Sequence, residues 1–202
     1  MSTWTFVRHT LTVANAEGWI SGHRDVPLTD KGRSQALEVR QQLEGRSIGR
    51  LLVSDLKRAL DTAQIAVGER GLTPTVTPLL RERNLGEWEG RDRAQMRATG
   101  EMNLLLTWTG AAPGGESHRD MAHRAVPWLA ELDAEPNTIV VAHGGMIRTL
   151  IGLIDGDDRT TLGQRWVTNC ECIHRDIGPN TWQRILEQLT REVPPPGTHC
   201  QH

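Results

Sequence analysis

One short segment, residues 138–142 (TIVVA), constrains the fold of this chain more than any other. Its β-branched and apolar side chains do not alternate with polar ones, which is typical of a parallel strand that is covered on both faces. A strand of this kind requires a layer of helices on each side of its sheet. Gly144 and Gly145 follow it at once and begin a predicted helix that ends near Ile154.

The rest of the chain alternates between predicted strands and predicted helices. Short β-branched runs predict strands, and apolar residues repeated at intervals of three and four predict helices. Before residue 138, we predict strands at 3–7, 51–53 and 74–78, a loop at 15–29, and helices at 29–43, 56–70, 92–98, 102–108 and 117–132. After Ile154, residues 167–174 and 181–186 are predicted to form two final strands joined by a turn at 178–180.

This order of elements predicts one α/β domain with three layers (α/β/α) and a mainly parallel central sheet. Neither an internal repeat nor a break in composition divides the 202 residues into two parts. We therefore place the domain at residues 1–193. Residues 194–202, which begin with three consecutive prolines, are expected to form a flexible tail.

The charge balance and the apolar runs restrict the partners of the chain. It has 23 Lys and Arg against 25 Asp and Glu, a formal net charge of −2, which gives no basic surface for nucleic acid or an anionic membrane. The longest apolar runs are far shorter than the roughly 20 residues that span a bilayer. The N-terminus has no apolar stretch long enough for a signal peptide. We therefore expect a cytoplasmic protein that binds neither nucleic acid nor membrane.

A set of polar residues follows the predicted strands, at the edge where open α/β sheets bind ligands. The set contains two histidines, two arginines and one carboxylate, with one asparagine from the first loop. Because the carboxyl ends of parallel strands meet at one edge of a sheet, we expect these side chains to converge. They are Arg8, His9, Asn15, Arg58, Glu82 and His143.

These residue types together suit the transfer of a phosphoryl group. Guanidinium groups form bidentate, charge-assisted hydrogen bonds with phosphate oxygens, and the backbone N–H groups of the helix that begins at Gly144 add to the anion site. A neutral imidazole can attack phosphorus, and a carboxylic acid can protonate the leaving oxygen and then deprotonate water. Since the arginines take the charge that metal ions usually neutralise, the set predicts no metal and no cofactor.

Six short motifs occur in a fixed order between residues 4 and 175. They are VRHT at 7–10 with Asn15, PLTxxGxxQA at 27–36, SDLxRAxxTA at 54–63, RExxLGxxEG at 81–90, PGGES at 113–117 and VAHGG at 141–145. Each motif alone carries little information, but the ordered set is specific. In this set the chain resembles the histidine phosphatase superfamily, in its phosphoglycerate-mutase-like branch.

The resemblance implies a metal-independent phosphomonoesterase that hydrolyses a small phosphorylated metabolite through a phosphohistidine. It implies that His9 is the phosphorylated nucleophile and that Glu82 is the proton donor. It also implies that the phosphoryl group is bound by Arg8, Arg58 and His143, with Asn15 as an auxiliary contact. Two further substrate contacts are expected from the residues themselves. They are Gly144, at a helix start, and the basic loop that contains His23 and Arg24, for which a plain surface loop is the alternative.

Two residues depart from the family pattern. Thr10 and Leu11 stand where the family usually has Gly and then Glu or Gln after the nucleophile. Leu11 lacks the polar group that mutases commonly carry there, and the chain is short for a mutase, so we predict a hydrolase. The alternatives are a phosphoglycerate-type mutase and a catalytically silent phosphate-binding module. A homodimer is left open.

The tryptophans and cysteines give weaker expectations. Three of the seven tryptophans, Trp19, Trp88 and Trp108, are predicted to line the mouth of a substrate pocket, and the other four to be core or half-buried. The three cysteines fit neither a disulfide framework nor a zinc site, so free thiols are expected.

Overall fold

A five-stranded sheet organises the computed structural model, which describes residues 2–68, 70–133 and 135–192. The tail predicted at 194–202 lies outside the described residues. The strands are β1 (Ser2–Arg8), β2 (Arg50–Ser54), β3 (Thr75–Thr77), β4 (Thr138–Ala142) and β5 (Cys172–Ile177). Their order across the sheet is β3-β2-β4-β1-β5.

The central position of β4 explains its composition. It pairs in parallel with both β1 and β2, and all five of its residues are buried, as the sequence predicted. Its last residue, Ala142, pairs with Arg8, so β1 and β4 end at the same level. The backbone N–H of His9 also donates to the carbonyl of Ala142 over 2.9 Å. This register brings the residues that follow the two strands together.

Eight α-helices surround the sheet. They are α1 (Val13–Glu17), α2 (Asp30–Gln42), α3 (Lys57–Val67), α4 (Arg93–Ala98), α5 (Glu101–Leu104), α6 (His118–Ala130), α7 (Gly144–Asp155) and α8 (Thr181–Arg191) within the described residues. Side-chain caps define where two of the long helices, α2 and α6, begin. Thr29 accepts from the backbone N–H of Gly32, and Ser117 forms a capping box with Asp120.

The core lies in two layers because neighbouring residues of a strand face opposite sides of the sheet. Phe6 and Val140 belong to the layer that also contains the apolar faces of α6, α7 and α8. Val7 and Val141, the next residues along each strand, belong to the layer with α2 and α3. The three-layer α/β/α prediction is therefore confirmed. None of the helices in the described ranges is long and apolar enough to cross a membrane.

The prediction for the end of the chain was wrong. Residues 181–186 are part of α8, a helix whose buried residues Trp182, Ile185 and Leu189 are spaced by three and four. The last strand of the described residues begins at Cys172, runs to Ile177 and pairs antiparallel with β1, and α8 follows it in place of a hairpin partner.

Smaller differences concern element ends and thiols. Residues 15–17 lie in α1 instead of a loop, and α3 ends at Val67 because Gly68 has a positive φ of 63°. α5 covers only the first part of the helix predicted at 102–108. Cys170 and Cys172 are free thiols, as predicted, and Cys200 lies outside the described residues.

Candidate active site

His9 lies directly after β1 and lines a cavity of about 550 Å³ at the carboxyl ends of the parallel strands. Its Nδ1 is 2.8 Å from the carbonyl oxygen of Thr10. Because a carbonyl oxygen can only accept, Nδ1 carries the proton and Nε2 keeps its lone pair. Burial, with the charges of Arg58 and Arg8, holds the pKa of His9 well below its ordinary value of 6.5. The imidazole is therefore neutral at physiological pH, with Nε2 available as a nucleophile.

The two residues that depart from the family pattern are turned away from the cavity. Thr10 is buried, its backbone N–H donates to Oγ1 of Thr62 over 3.1 Å, and it is not among the described residues with positive φ. The backbone N–H of Leu11 donates to Oε1 of Gln35 over 3.0 Å. Among the described residues that line the cavity, neither Thr10 nor Leu11 appears. The side chain of Thr10 is thus accommodated against α3 without backbone strain.

Arg58, on α3, is fully buried and lines the cavity, and each of its three nitrogens has a different partner. Its Nε donates to Nδ1 of His143 over 3.1 Å. Its Nη1 and Nη2 donate to the carbonyl oxygens of Arg24 (2.8 Å) and Gly22 (2.7 Å). Two N–H groups, one on each Nη, are left for a ligand. Arg58 therefore both fixes the loop around residue 22 and faces the cavity.

His143 lies beside His9, with 5.2 Å between the ring centroids, but both of its nitrogens are used. Because the guanidinium of Arg58 can only donate, Nδ1 of His143 accepts, and Nε2–H donates to Oγ of Ser54 over 2.8 Å. Burial and the charge of Arg58 hold the pKa of His143 well below 6.5. In this arrangement His143 is neutral and orients Arg58, and its ring has no spare donor for a phosphate.

Glu82 is the one carboxylate among the described residues that line the cavity. Its Oε1 accepts from the backbone N–H of Arg83 (2.8 Å) and its Oε2 from that of Gly145 (3.1 Å). Burial raises its pKa, but these two N–H donors and the charges of Arg58 and Arg83 outweigh burial, so the pKa lies below its ordinary value. A Cβ at Gly145 would lie 2.2 Å from Oε1 of Glu82, so only glycine allows this approach.

The structure brings some predicted substrate contacts into the cavity and leaves others outside. Asn15 and Gly144 line it, and Asn15 also forms the capping box of α1. The ring of His23 instead donates from Nε2 to the carbonyl oxygen of Glu82 over 2.7 Å. The side chain of Arg24 is exposed and lies 3.9 Å from Glu89. Neither His23 nor Arg24 therefore lines the cavity in the described structure, and a substrate contact by either residue stays a prediction.

The prediction for the tryptophans is confirmed for Trp4, Trp128 and Trp182, which are buried or half-buried, and is wrong for the other four. Trp88 and Trp108 are buried, and Nε1 of Trp19 donates to Glu17 over 2.9 Å. Trp166, which was expected to be core or half-buried, is 64% exposed and lines the cavity. Trp166 lies in the loop after a 3-10 helix at 162–164, and the sequence pattern predicted neither element.

Six arginines of the described residues line the cavity, and the sequence identified only two of them. The other four are Arg83, Arg93, Arg97 and Arg148. A signal was available for Arg148, which is four residues after Gly144 and so lies on the same face of α7. Among the residues that the structure describes, no three His, Cys, Asp or Glu side chains are grouped so that they could hold a metal ion.

The sequence profile of the histidine phosphatase superfamily (branch 1) matches residues 4–188. This chain belongs to that superfamily. The resemblance seen in the ordered motifs is confirmed, and so is the fold that it implied. Among the curated histidine phosphatases, glucosyl-3-phosphoglycerate phosphatase of Mycobacterium tuberculosis is 39% identical over 160 residues, which cover 71% of each chain.

Two other relatives agree with this assignment. Adenosylcobalamin/alpha-ribazole phosphatase of Escherichia coli is 33% identical over 163 residues, which cover 77% of this chain and 80% of that protein. The solved structure of mycobacterial glucosyl-3-phosphoglycerate phosphatase with VO3 superposes with a TM-score of 0.79 at 31% identity, covering 86% of this chain and 92% of that one. Both relatives are phosphatases of small phosphorylated metabolites, by their names.

Proposed function

We propose that this histidine phosphatase is a phosphomonoesterase that hydrolyses a small phosphorylated metabolite through a phosphohistidine at Nε2 of His9. The observation that carries the proposal is the state of His9. Its proton is held on Nδ1 by the carbonyl of Thr10, and its free Nε2 belongs to a neutral ring in a cavity lined by arginines. The relatives that are named as phosphatases support the same reaction class.

The reaction needs two transfers. In the first, Nε2 of His9 bonds to phosphorus, the bond from phosphorus to the ester oxygen breaks, and that oxygen takes a proton from Glu82. In the second, water attacks the phosphohistidine, Glu82 takes a proton from the water, and the bond from phosphorus to Nε2 breaks to release phosphate. Arg8 and Arg58 stabilise the negative charge of the transferring group in both steps.

Glu82 must hold a proton for the first transfer, although its pKa is lowered in the free protein. A phosphate dianion bound between Glu82 and His9 offsets the charge of the arginines and raises the pKa of the carboxyl. We therefore propose that substrate binding itself brings the proton to Glu82.

A rapid-quench experiment with radiolabelled substrate tests the nucleophile. We expect a phosphoryl group that is labile in acid and stable in base, attached to His9, and a His9→Ala variant without activity. His123, which is exposed on α6, gives the matched control, because His123→Ala should keep both the label and the turnover. Label on another residue, or normal turnover by His9→Ala, would contradict the assignment.

Two further assays separate the proposal from its alternatives. A chelator should leave the rate unchanged, since arginines supply the positive charge, and a strict requirement for Mg²⁺ would contradict this. With 3-phosphoglycerate as substrate, free phosphate should form faster than the isomeric ester, and the reverse order would identify a mutase. A silent phosphate-binding module would bind phosphate without releasing p-nitrophenol from p-nitrophenyl phosphate. Cytoplasmic location and a homodimer stay predictions.

A further inference from the structure

The backbone carbonyl of His9 is held by a side chain from a distant part of the sequence. Nδ2 of Asn169 donates to it over 2.8 Å. The backbone N–H of His9 donates to the carbonyl oxygen of Ala142 over 2.9 Å, so both backbone polar groups of the nucleophile have a partner. Asn169 is not among the described residues that line the cavity. It therefore contacts His9 from outside the cavity.

The same nitrogen of Asn169 also contacts Asn15. Nδ2 of Asn169 lies 3.3 Å from Oδ1 of Asn15, and Oγ1 of Thr12 donates to that same oxygen over 3.0 Å. A side-chain NH2 group carries two N–H donors, so one is available for His9 and one for Asn15. An arginine could also supply two donors, but it would add a positive charge beside the nucleophile.

These contacts fix the orientation of two side-chain amides. The carbonyl oxygen of His9 can only accept, so the NH2 group of Asn169 faces it. An NH2 group can only donate, so the oxygen of Asn15 faces Asn169. The NH2 group of Asn15 then has no acceptor among the described residues, and it is left to donate to a ligand in the cavity, which Asn15 lines.

A tight turn places Asn169 where it can make both contacts. The carboxylate of Glu171 accepts from the backbone N–H and from Oγ1 of Thr168, each over 2.8 Å, which closes the turn without the side chain of Asn169. Cys170, inside the turn, has a positive φ of 56°. This conformation is uncommon for a residue other than glycine, and such residues cluster at functional sites.

Resting on the proposed transfer at His9, we propose that Asn169 is a positioning residue of the reaction. It holds the backbone of His9 in place and turns the NH2 group of Asn15 toward the phosphoryl group. A donor that is oriented before the substrate binds stabilises the transition state without further reorganisation. Without Asn169, the amide of Asn15 is free to rotate, and its oxygen would then face and repel the anion.

A double-mutant cycle with p-nitrophenyl phosphate tests this coupling. An aryl ester does not need a proton from Glu82, so the cycle reports on His9 and its surroundings. We expect Asn169→Ala to lower kcat/KM by about 10- to 100-fold, since a small displacement of reacting groups costs that much. In an Asn15→Ala background the same substitution should cost less, by a factor of about three or more, because the effect through Asn15 is already lost.

A second variant and a matched control accompany the cycle. Asn169→Asp keeps the shape of the side chain but replaces the NH2 group by an oxygen, so kcat/KM should fall at least as far as in Asn169→Ala. Both variants should fold, because Asn169 is half-buried and its side chain does not close the turn, and circular dichroism checks this. Asn180 is exposed and makes no side-chain cap for α8, so Asn180→Ala should leave kcat/KM unchanged.

Nuclear magnetic resonance of the Asn15 amide provides a readout that does not depend on turnover. The NH2 signals of Asn15 in isotope-labelled protein are assigned by their absence in Asn15→Ala, and orthovanadate is the anion added. We expect vanadate to shift these signals in the native protein and in Asn180→Ala. In Asn169→Ala the shift should be largely lost, because the NH2 group is no longer held toward the cavity.

The outcomes separate this inference from the proposed function. If the losses from Asn169→Ala and Asn15→Ala simply multiply, or if vanadate shifts the Asn15 signals equally with and without Asn169, the positioning role is overturned even when rapid quench places the phosphoryl group on His9. Normal kcat/KM in both folded Asn169 variants would overturn it as well. A vanadate shift that depends on Asn169, in a protein that forms no label on His9, would support the orientation of Asn15 and contradict the proposed hydrolysis.

Discussion

The arginines of the cavity and those outside it differ in their ion pairs. Outside the cavity, many guanidinium groups pair with carboxylates, as Arg175 does with Asp155 at 2.7 Å and Arg124 with Glu116 at 2.9 Å. In the cavity, no arginine pairs with a carboxylate of the described residues, and the main partners are backbone carbonyl oxygens. Arg8 donates to the carbonyl of Val167 over 2.5 Å, and Arg58, Arg83 and Arg148 make contacts of the same kind.

The difference shows how a site can keep its charge. A carboxylate partner orients an arginine but also neutralises it, whereas a carbonyl oxygen orients it and leaves the full charge for a ligand. The negative charge of Glu82 is kept in the same way. Two backbone N–H groups orient its carboxylate, and none of the described arginines forms an ion pair with it. Backbone groups thus keep the acid and the cations of the cavity close together without pairing them.

Apart from the loss of His9, the largest effect should come from removing Glu82, the one carboxylate among the described residues that line the cavity. Glu82→Gln keeps the shape of the side chain but cannot transfer a proton. We expect hydrolysis of esters with poor leaving groups, such as sugar phosphates, to slow by about 10²–10⁴-fold. Aryl phosphates leave without protonation and should slow much less. Steady-state rates for the two classes of ester measure the difference.

The pH profile and a surface variant provide the controls for Glu82. For poor leaving groups, kcat/KM should have its optimum on the acidic side of neutrality and fall as the pH rises, because Glu82 has a lowered pKa and loses its proton. Glu82→Gln should flatten this fall. Glu187→Gln, in an exposed pair with Arg191, should change neither profile. Equal slowing of both ester classes, or the leaving-group effect in Glu89→Gln, would identify another acid.

The next effect concerns the planar shape of Arg58. Arg58→Lys keeps the charge but cannot donate at once to His143, to the carbonyls of Gly22 and Arg24, and to phosphate. We expect a loss of about a hundredfold in kcat/KM. Arg175→Lys, the same change in a surface ion pair, should leave kcat/KM unchanged. A mild loss in Arg58→Lys would mean that charge alone is sufficient in the cavity.

A smaller loss should follow from displacing Glu82 without removing it. In Gly145→Ala, the new Cβ would meet Oε1 of Glu82 at 2.2 Å, so the carboxyl group must move away from its backbone donors. A shift of this size typically costs roughly 10- to 100-fold in rate. Gly178→Ala, where a Cβ meets only ordinary contacts, is the control. If Gly145→Ala has normal rates for poor leaving groups, the position of Glu82 does not limit catalysis.

The predicted site residues that the structure brings together lie directly after strands or at the start of a helix. His9 and His143 follow β1 and β4 by one residue, so the parallel register alone brings them together. Arg58 and Gly144 lie in the first turn of α3 and α7. Local sequence determines such positions, because the end of a strand fixes the direction of the residues that follow it.

The residues that the sequence missed depend on contacts with distant parts of the chain. Arg93 and Arg97 face the cavity because Met96 packs in a cluster with Ile20 and Leu85, which no local pattern around α4 reveals. The error at α8 had a different cause. The six residues 181–186 are too few to distinguish a strand from a helix by their pattern. The helical spacing of three and four becomes visible only when the segment is extended to Leu189.

The smallest effect should come from breaking a surface ion pair, and it should be visible in stability alone. The carboxylate of Asp155 accepts from Arg175 and Arg165, and the hydrogen bond from Arg175 holds its pKa below the ordinary 3.8. A lowered pKa contributes stability above 3.8 that is lost as the pH falls through the folded-state value. Asp155→Asn should therefore lower the free energy of unfolding by about 1 kcal/mol at neutral pH, after screening by solvent, and by progressively less in acid.

Urea titrations at neutral and acid pH measure this change, with kcat/KM as the second readout. We expect normal catalysis, because the surface pairs neutralise their own charge and add nothing to the field in the cavity. A loss of stability that is equal at both pH values would show that Asp155 acts through packing. If Asp155→Asn folds but has a lower kcat/KM, the surface and cavity charges are not independent. An ion pair outside the cavity would then affect the arginines that bind the phosphoryl group.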